Sequence, residues 1–282
     1  MKGGTPLPCR QSHSHTTTSG HTDDRHAPSG ADTNEARGLR LGSIEWNRAM
    51  WGDPQRWEDG GDNWSFHAES CGQSYEQWKA SVVATFVTPF CGPGIDVLEL
   101  APGHGRWTDY FVGNSATLTL VDLNDSCISV CRERFGARPE VRFVVNDGRS
   151  LPVPDASVDL VWSFGSFVHF VPADIETYLA EFRRVLRPGG TFVVHHTGWP
   201  DATLRFVPLT RRLGRPGRVL QHRLGQGLWR PGGDRVEMSA PRFSLMAARH
   251  GLIVDRHVRR WGDSGQFGLA FNDVVSVGSS PA

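Results

Sequence analysis

The chain has 282 residues, enough for one large α/β domain with a sizeable core. Its 30 Lys and Arg balance 30 Asp and Glu, which excludes a global pull toward nucleic acid or anionic membranes, so any basic recognition has to be local. Cys9, Cys71, Cys91, Cys127 and Cys131 are scattered and odd in number, a poor disulfide framework; no apolar run resembles a signal core or is long enough to span a bilayer. These features predict a cytoplasmic protein without a membrane partner.

Residues 1–40 are rich in Gly, Ser, Thr and His and almost lack large apolar side chains, so they cannot offset their ordering entropy by burial and read as a disordered tail. The next segment, residues 41–90, carries Trp46, Trp51, Trp57, Trp64 and Trp78 among Gly and charged residues. It reads either as an amino-terminal helical segment with indole anchors or as a lid over a flat aromatic ligand.

From residue 91 onward the pattern is regular. IDVLELAP, TLTLVDLN, VRFVVND, VDLVWSFG and TFVVHHTG are short apolar runs ending in turn residues, and segments of helical spacing such as CISVCRERFG and IETYLAEFRRVLRPGG alternate with them. Strands apolar on both faces and alternating with helices predict a doubly wound, mostly parallel sheet with helices on both faces. The Pro188-Gly189-Gly190 triplet reads as a helix stop. A helix around Ser239–His250, a strand over Leu252–Val258 and a last strand near Ala270–Ser276 complete the core. Residues 200–237 form a basic insertion in which Arg205 to Arg235 hold eight arginines and one acid, Asp234. It is read as a solvated insertion or as a cationic lid for an anionic acceptor group. Cys127 and Cys131, four apart on a predicted helix, read as small buried apolar groups.

VLELAPGHGRWTDYF places a strand before a glycine-containing turn and, by expectation, an amphipathic helix after it, the arrangement that binds ligands at the carboxyl ends of strands. Gly103 and Gly105 are followed by Thr108 where a nicotinamide-nucleotide fingerprint needs its third glycine, and no Gly-Lys-Ser/Thr follows for a phosphate loop.

Glu99-Leu-Ala-Pro-Gly103-His-Gly105 resembles the E-x-G-x-G-x-G motif of class I, Rossmann-like S-adenosylmethionine methyltransferases, with Ala101 in place of the first glycine. Asp122 ends the second strand, 17 positions beyond Gly105, and Asp147-Gly148 ends the third. The resemblance implies a seven-stranded sheet and S-adenosylmethionine as cofactor, with S-adenosylhomocysteine as product. Its implied cofactor set is Glu99, Ala101, Pro102, Gly103, Gly105, Asp122, Leu123, Asp147, Gly148 and the Ser163-Phe164-Gly165 backbone, with Trp64 from the lid. Asp122 would accept from the ribose hydroxyls and Asp147 from the adenine amino group. WNRAMWG, NDGRSL, SVDLVWSFGSFVH, LRPGG and WRPGGDRVEMSAPRF further resemble a bacterial subgroup that modifies sugars or natural products.

In-line methyl transfer requires an aligned, unprotonated acceptor, so a base near the methyl group is useful. His169 closes SFGSFVH and His195-His196 close the fifth strand, making these three the candidate catalytic residues. Adjacent strand positions face opposite sides, so His195 and His196 are not expected to share a role. They diverge with no carboxylate at ligand spacing, and no metal is expected. The expected activity is N- or O-methylation of a small molecule, foremost a sugar or amino sugar of an antibiotic-type natural product such as an aminoglycoside. The alternatives are an RNA methyltransferase, suggested by the arginines although no RNA-binding module accompanies them, and a cofactor-binding protein without catalytic activity.

Overall fold

The computed structural model describes residues 38–54, 56–57, 65–201, 204–205, 212–214, 216–217 and 235–282. The expected tail, Trp64 and most of the basic insertion lie outside the described residues.

A seven-stranded sheet forms the centre. Its strands are β1 (Asp96–Leu100), β2 (Thr117–Asp122), β3 (Val141–Val145), β4 (Val158–Ser163), β5 (Leu186–Thr197), β6 (Ile253–Val258) and β9 (Asp273–Ser279), ordered β3-β2-β1-β4-β5-β9-β6. The first five are parallel, and β9 runs antiparallel to both β5 and β6. A two-stranded ribbon of β7 (Arg260–Trp261) and β8 (Phe267–Gly268) stands apart. The chain order reverses at β1 and β4, which opens the crevice where such sheets bind ligands.

Both faces of the sheet are covered, as strands without polar alternation require. Neighbouring residues on a strand feed opposite cores. Val97, Leu160 and Val193 join Trp78, Phe86, Phe111 and Trp162 on one face, while Leu98, Val161 and Phe192 join Phe182 and Phe243 on the other. Helices α3 (Tyr75–Val82) and α4 (Asp125–Phe135) cover the first face, α5 (Pro172–Val185) and α6 (Ala240–Arg249) the second. In α5, Ile175, Tyr178, Leu179, Phe182 and Val185 are buried at helical spacing, each contributing roughly 1.5–3 kcal/mol by leaving water. Cys127 and Cys131 lie buried on α4, as expected of small apolar groups.

Two local expectations are corrected. No amphipathic helix follows the glycine turn: only a 3-10 turn, Thr108–Tyr110, forms there. Gly105 at φ 81° and Gly113 at φ 74° take the chain out of helical conformation at both ends of the segment, which confines regular structure between them to that single turn. Helix α5 ends at Val185, before the Pro188-Gly189-Gly190 triplet, because Leu186 turns extended and enters β5 beside Val158. Arg187 then clamps the strand bottoms, reaching Asp159 at 2.6 Å and Asp96 at 2.8 Å.

At the amino-terminal side lie α1 (Ile44–Trp51), capped by the Ser43 hydroxyl, and the short α2 (Phe66–Glu69). The indoles divide: Trp46 and Trp78 are buried anchors, whereas Trp51 and Trp57 face the cavity above the sheet. Among the described residues no helix is long and apolar enough to cross a membrane.

Candidate cofactor and acceptor site

A cavity opens above the carboxyl ends of β1, β2 and β4, about 940 Å³ when the solvent-open space at its mouth is counted. Its floor is the turn after β1. Ala101 continues the sheet by donating its N–H to the Val121 carbonyl at 2.7 Å, then the chain passes through φ 58° at Ala101 and φ 57° at Gly103. The Gly103 N–H donates to Asp122 Oδ2 at 3.2 Å and the Asn124 N–H to Asp122 Oδ1 at 2.9 Å. Each carboxylate oxygen keeps a further lone pair for a ligand hydroxyl. Burial pushes the Asp122 pKa up to about 6, against the pull of these N–H groups.

The walls and roof come from elsewhere in the chain. Gly148, at φ 85°, follows β3 and faces Ile44 of α1. Asn47 ties α1 to the far wall by donating to the His169 carbonyl at 3.1 Å. Trp57 donates its indole N–H to the Trp51 carbonyl at 2.8 Å and stacks on His104 at 4.4 Å. Its ring lies on the bare face of Gly103, where a Cβ would come within 2.3 Å of it.

Of the expected cofactor residues, Ala101, Pro102, Gly103, Asp122, Leu123, Gly148, Phe164 and Gly165 line this one cavity. Trp64 lies outside the described residues, and the others have different partners. Glu99 is buried beneath the floor and accepts from the Thr108 hydroxyl at 2.7 Å; burial pushes its pKa up to about 8. Gly105 packs against Phe135 of α4. The Ser163 hydroxyl donates to the Leu100 carbonyl at 2.8 Å, tying β4 to β1. Asp147 is exposed, and its Oδ1 accepts from the backbone of Arg149 and Ser150 at 2.8 and 2.7 Å, a turn-capping role that holds its carboxyl below the usual range.

Of the three candidate histidines, only His169 lines the cavity, with its ring 4.8 Å from that of Trp51. His195 sits one layer behind the wall: its ring stacks on Phe164 at 4.4 Å, and its Nδ1 accepts the Gly165 N–H at 3.1 Å. His196 faces the opposite side, in contact with the Thr197 carbonyl and the Ser276 hydroxyl, both at 2.6 Å; burial lowers its pKa to about 3. Sequence reading did not single out Trp51, Trp57, Asn47, His104 or Arg106 as lining residues. The two indoles stood out only as members of an aromatic cluster, and a lone Asn or Arg carries no motif. Nor did it join His195 to His67 and Asp273, which meet only through the fold.

The residues fit an adenosyl cofactor at the level of polar chemistry. A buried carboxylate with spare lone pairs stands beside the turn after β1, whose Gly103 is covered by Trp57, and the cavity is lined by aromatic side chains that can cover a flat ring.

The sheet order and the placement of this site define the Rossmann-like methyltransferase fold class. Residues 97–190 match the family model described as a methyltransferase domain. The chain is 39% identical over 102 residues to the fatty-acid O-methyltransferase of Mycolicibacterium smegmatis, covering 36% of each chain. It is 36% identical over 134 residues to the ubiquinone/menaquinone biosynthesis C-methyltransferase of Caulobacter vibrioides, covering 43% of this chain and 50% of that one. The chain thus spans about a third to a half of the length of the curated relatives it matches. The YcgJ protein of Bacillus subtilis shares the fold with a TM-score of 0.54 at 18% identity, over 72% of this chain and 99% of that one. So does the [4+2]-cyclase SpnF, with a TM-score of 0.51 at 17% identity, over 74% of this chain and 82% of that one.

Proposed function

We propose that this protein is a cytoplasmic S-adenosylmethionine-dependent methyltransferase that acts on a nitrogen or oxygen atom of a small molecule, without a resident metal. The observation that carries this reading is the convergence of Asp122, the Ala101–Gly103 turn, Gly148 and Phe164–Gly165 on one cavity. The similarity of residues 97–190 to methyltransferase domains supports it independently. Bound in this cavity, the cofactor supplies a sulfonium methyl group to an attacking acceptor atom.

The chain's own residues bind and enclose. Asp122, held by the Gly103 N–H, accepts from ribose hydroxyls, and Phe164 and Gly165 form the wall beside the transferred group. The segment around Trp51 and Trp57 acts as a lid that excludes water, and His169 is the cavity-lining base for an acceptor that must lose a proton.

The acceptor we favour from the sequence resemblance is a sugar or amino sugar of a natural product. A lipid or quinone acceptor is the second reading, favoured by the names of the curated relatives and by the aromatic walls. Because a cyclase shares the fold, the decisive experiment measures binding and transfer separately. S-adenosylhomocysteine at about a hundred times its dissociation constant is expected to stabilise the protein by about 2.7 kcal/mol, seen as a rise in unfolding temperature that NAD does not produce and Asp122→Ala weakens. Labelled methyl transfer is then read across amino sugars, sugar alcohols, fatty acids and quinols. Stabilisation by NAD alone, or by neither ligand, overturns the cofactor assignment; binding without transfer to any of the four classes overturns the catalytic one.

A further inference from the structure

One layer behind Phe164 and Gly165, two buried imidazoles face a buried carboxylate. His67 on α2 stacks on Trp78 at 5.1 Å, and its Nδ1 accepts the Ala270 N–H at 2.9 Å. His195 on β5 is held in the same manner by the Gly165 N–H. A neutral imidazole whose Nδ1 accepts carries its proton on Nε2, so both rings present an Nε2–H donor. One nitrogen of each ring and one oxygen of Asp273 lie within 4.8 Å of one another. His67 Nε2 is buried with no hydrogen-bond partner. His195 Nε2 lies 3.3 Å from Asp273 Oδ2, a long and poorly aligned contact with the carboxylate that leaves room for a better acceptor. Buried donors left in this way are costly, and proteins keep them chiefly where a ligand or water satisfies them.

The donor set selects the occupant. A metal ion needs bare nitrogen lone pairs, and a metal-bound histidine normally donates its other N–H outward; here that other nitrogen accepts. A metal would also compete with Arg235, whose Nε donates to both Asp273 oxygens at 3.2 and 3.0 Å. A carboxylate would meet the Asp273 charge, and an ammonium could not accept from the rings. A hydroxyl has two lone pairs for the two N–H groups and one proton for Asp273.

The surroundings indicate what bears it. Phe66 and Phe271 stand 5.5 Å apart, and the Arg235 guanidinium lies 3.9 Å from the Phe271 ring. Phe271 is 36% exposed, and its φ of 58° is a strained conformation for a bulky residue. Phe66 in turn lies 4.3 Å from the His67 ring, so the part-exposed Phe271 is linked through it to the buried His67 donor, an aromatic setting suited to a flat ring. Phe164 connects this cluster to the cofactor cavity, since it lines the cavity and stacks on the His195 ring at 4.4 Å.

We propose that His67, His195 and Asp273 bind a single hydroxyl group of a ring-bearing acceptor, with Phe66 and Phe271 flanking the ring. That the bound molecule is the methyl acceptor rests on the proposed function; the hydroxyl site itself does not.

The test uses the full chain saturated with S-adenosylhomocysteine and follows the histidine ring 15N resonances while phenol is added. Anisole, benzoate and Zn²⁺ are titrated in parallel. Phenol is expected to shift the His67 and His195 signals saturably with Nδ1 still unprotonated, while anisole and benzoate bind about tenfold more weakly or worse. His67→Phe is expected to abolish the phenol response while leaving S-adenosylhomocysteine binding intact. His67→Gln, which keeps a donor, retains the response and covers the case in which the Phe variant fails to fold. Equal binding of anisole, preferential binding of Zn²⁺, or rings that phenol does not move, a bound water only, would overturn the hydroxyl site even though the cofactor analogue binds. Phenol binding without S-adenosylhomocysteine binding would instead overturn the methyltransferase reading and leave the hydroxyl site standing.

Discussion

Glu99 and Asp122 lie at the carboxyl ends of the adjacent strands β1 and β2, one residue before the last and at the last, and are both buried, yet they do different work. Glu99 makes one hydrogen bond, to Thr108, and with its pKa pushed up to about 8 it is mostly protonated at neutral pH. Its folded-state pKa exceeds the unfolded value of 4.5, so its contribution to stability is present at low pH and is lost as pH rises through about 8. Glu99→Gln imitates the protonated acid, and its stability relative to wild type is expected to grow from pH 5 to pH 8 as read by denaturant midpoints. A constant difference would show that Glu99 is ionised throughout. Asp122 has to be ionised to accept from two hydroxyls, so S-adenosylhomocysteine affinity is expected to rise with pH through about 6. Calorimetric titration from pH 5 to 8 checks this, and Asp122→Asn should flatten the profile. Ala101 is a third case. The family motif has glycine there, and the structure supplies the reason, since φ of 58° costs a residue with a Cβ about 1–2 kcal/mol. Ala101→Gly is expected to stabilise the protein by about 0.5–1 kcal/mol after the larger unfolded-state entropy of glycine is subtracted. A lower unfolding temperature would mean that the Ala101 methyl group makes packing contacts worth more than the strain.

At the scale of elements, the turn after β1 and the helix α1 above it form the two jaws of the cavity. Trp57 links them through its hydrogen bond to Trp51 and its contact with Gly103. As a lid it should hold a bound ligand in place more than it guides entry. Trp57→Ala is therefore expected to raise the dissociation rate of S-adenosylhomocysteine several-fold, by analogy with other lids, with a smaller change in association rate. An unchanged dissociation rate in stopped-flow displacement would remove the lid role. The jaws were not equally legible in the sequence. The lower jaw is local: strand, glycines and Asp122 occur in order, and each sits where a strand must end. The upper jaw is not, because an indole in a Gly-rich segment carries no sign of whether it anchors a core, as Trp78 does, or roofs a cavity, as Trp57 does. Asp147 shows the opposite limit. Its position after β3 matched the motif, yet its carboxylate caps the turn through Arg149 and Ser150, while its neighbour Gly148 lines the cavity.

Across the whole molecule, the parallel sheet was readable because apolar runs buried on both faces leave little choice of architecture. What periodicity did not reveal is which distant positions meet. His67, His195 and Asp273 come together only because β9 inserts antiparallel between β5 and β6 while α2 folds over the end of the sheet. The same burial sets the pH response of the whole fold. His67, His195 and His196 are buried with pKa values lowered from 6.5, chiefly by loss of hydration. Unfolding lets them take up protons, so their contribution is present above about pH 6.5 and is lost as pH falls toward their folded-state values. Glu99 acts in the opposite sense up to about pH 8, and Asp122 up to about pH 6. Below pH 6.5 three histidines outweigh two acids, and above it only Glu99 still titrates among these five. The ligand-free protein is therefore expected to be most stable between about pH 6 and 7, with a steeper loss on the acid side than on the alkaline side. Unfolding temperatures from pH 4.5 to 8.5 measure the profile. His196→Asn, which keeps a polar side chain but cannot gain charge, should soften the acid limb and leave the alkaline limb unchanged. An acid limb equally steep in that variant would show that His196 is not one of the groups whose protonation drives acid unfolding.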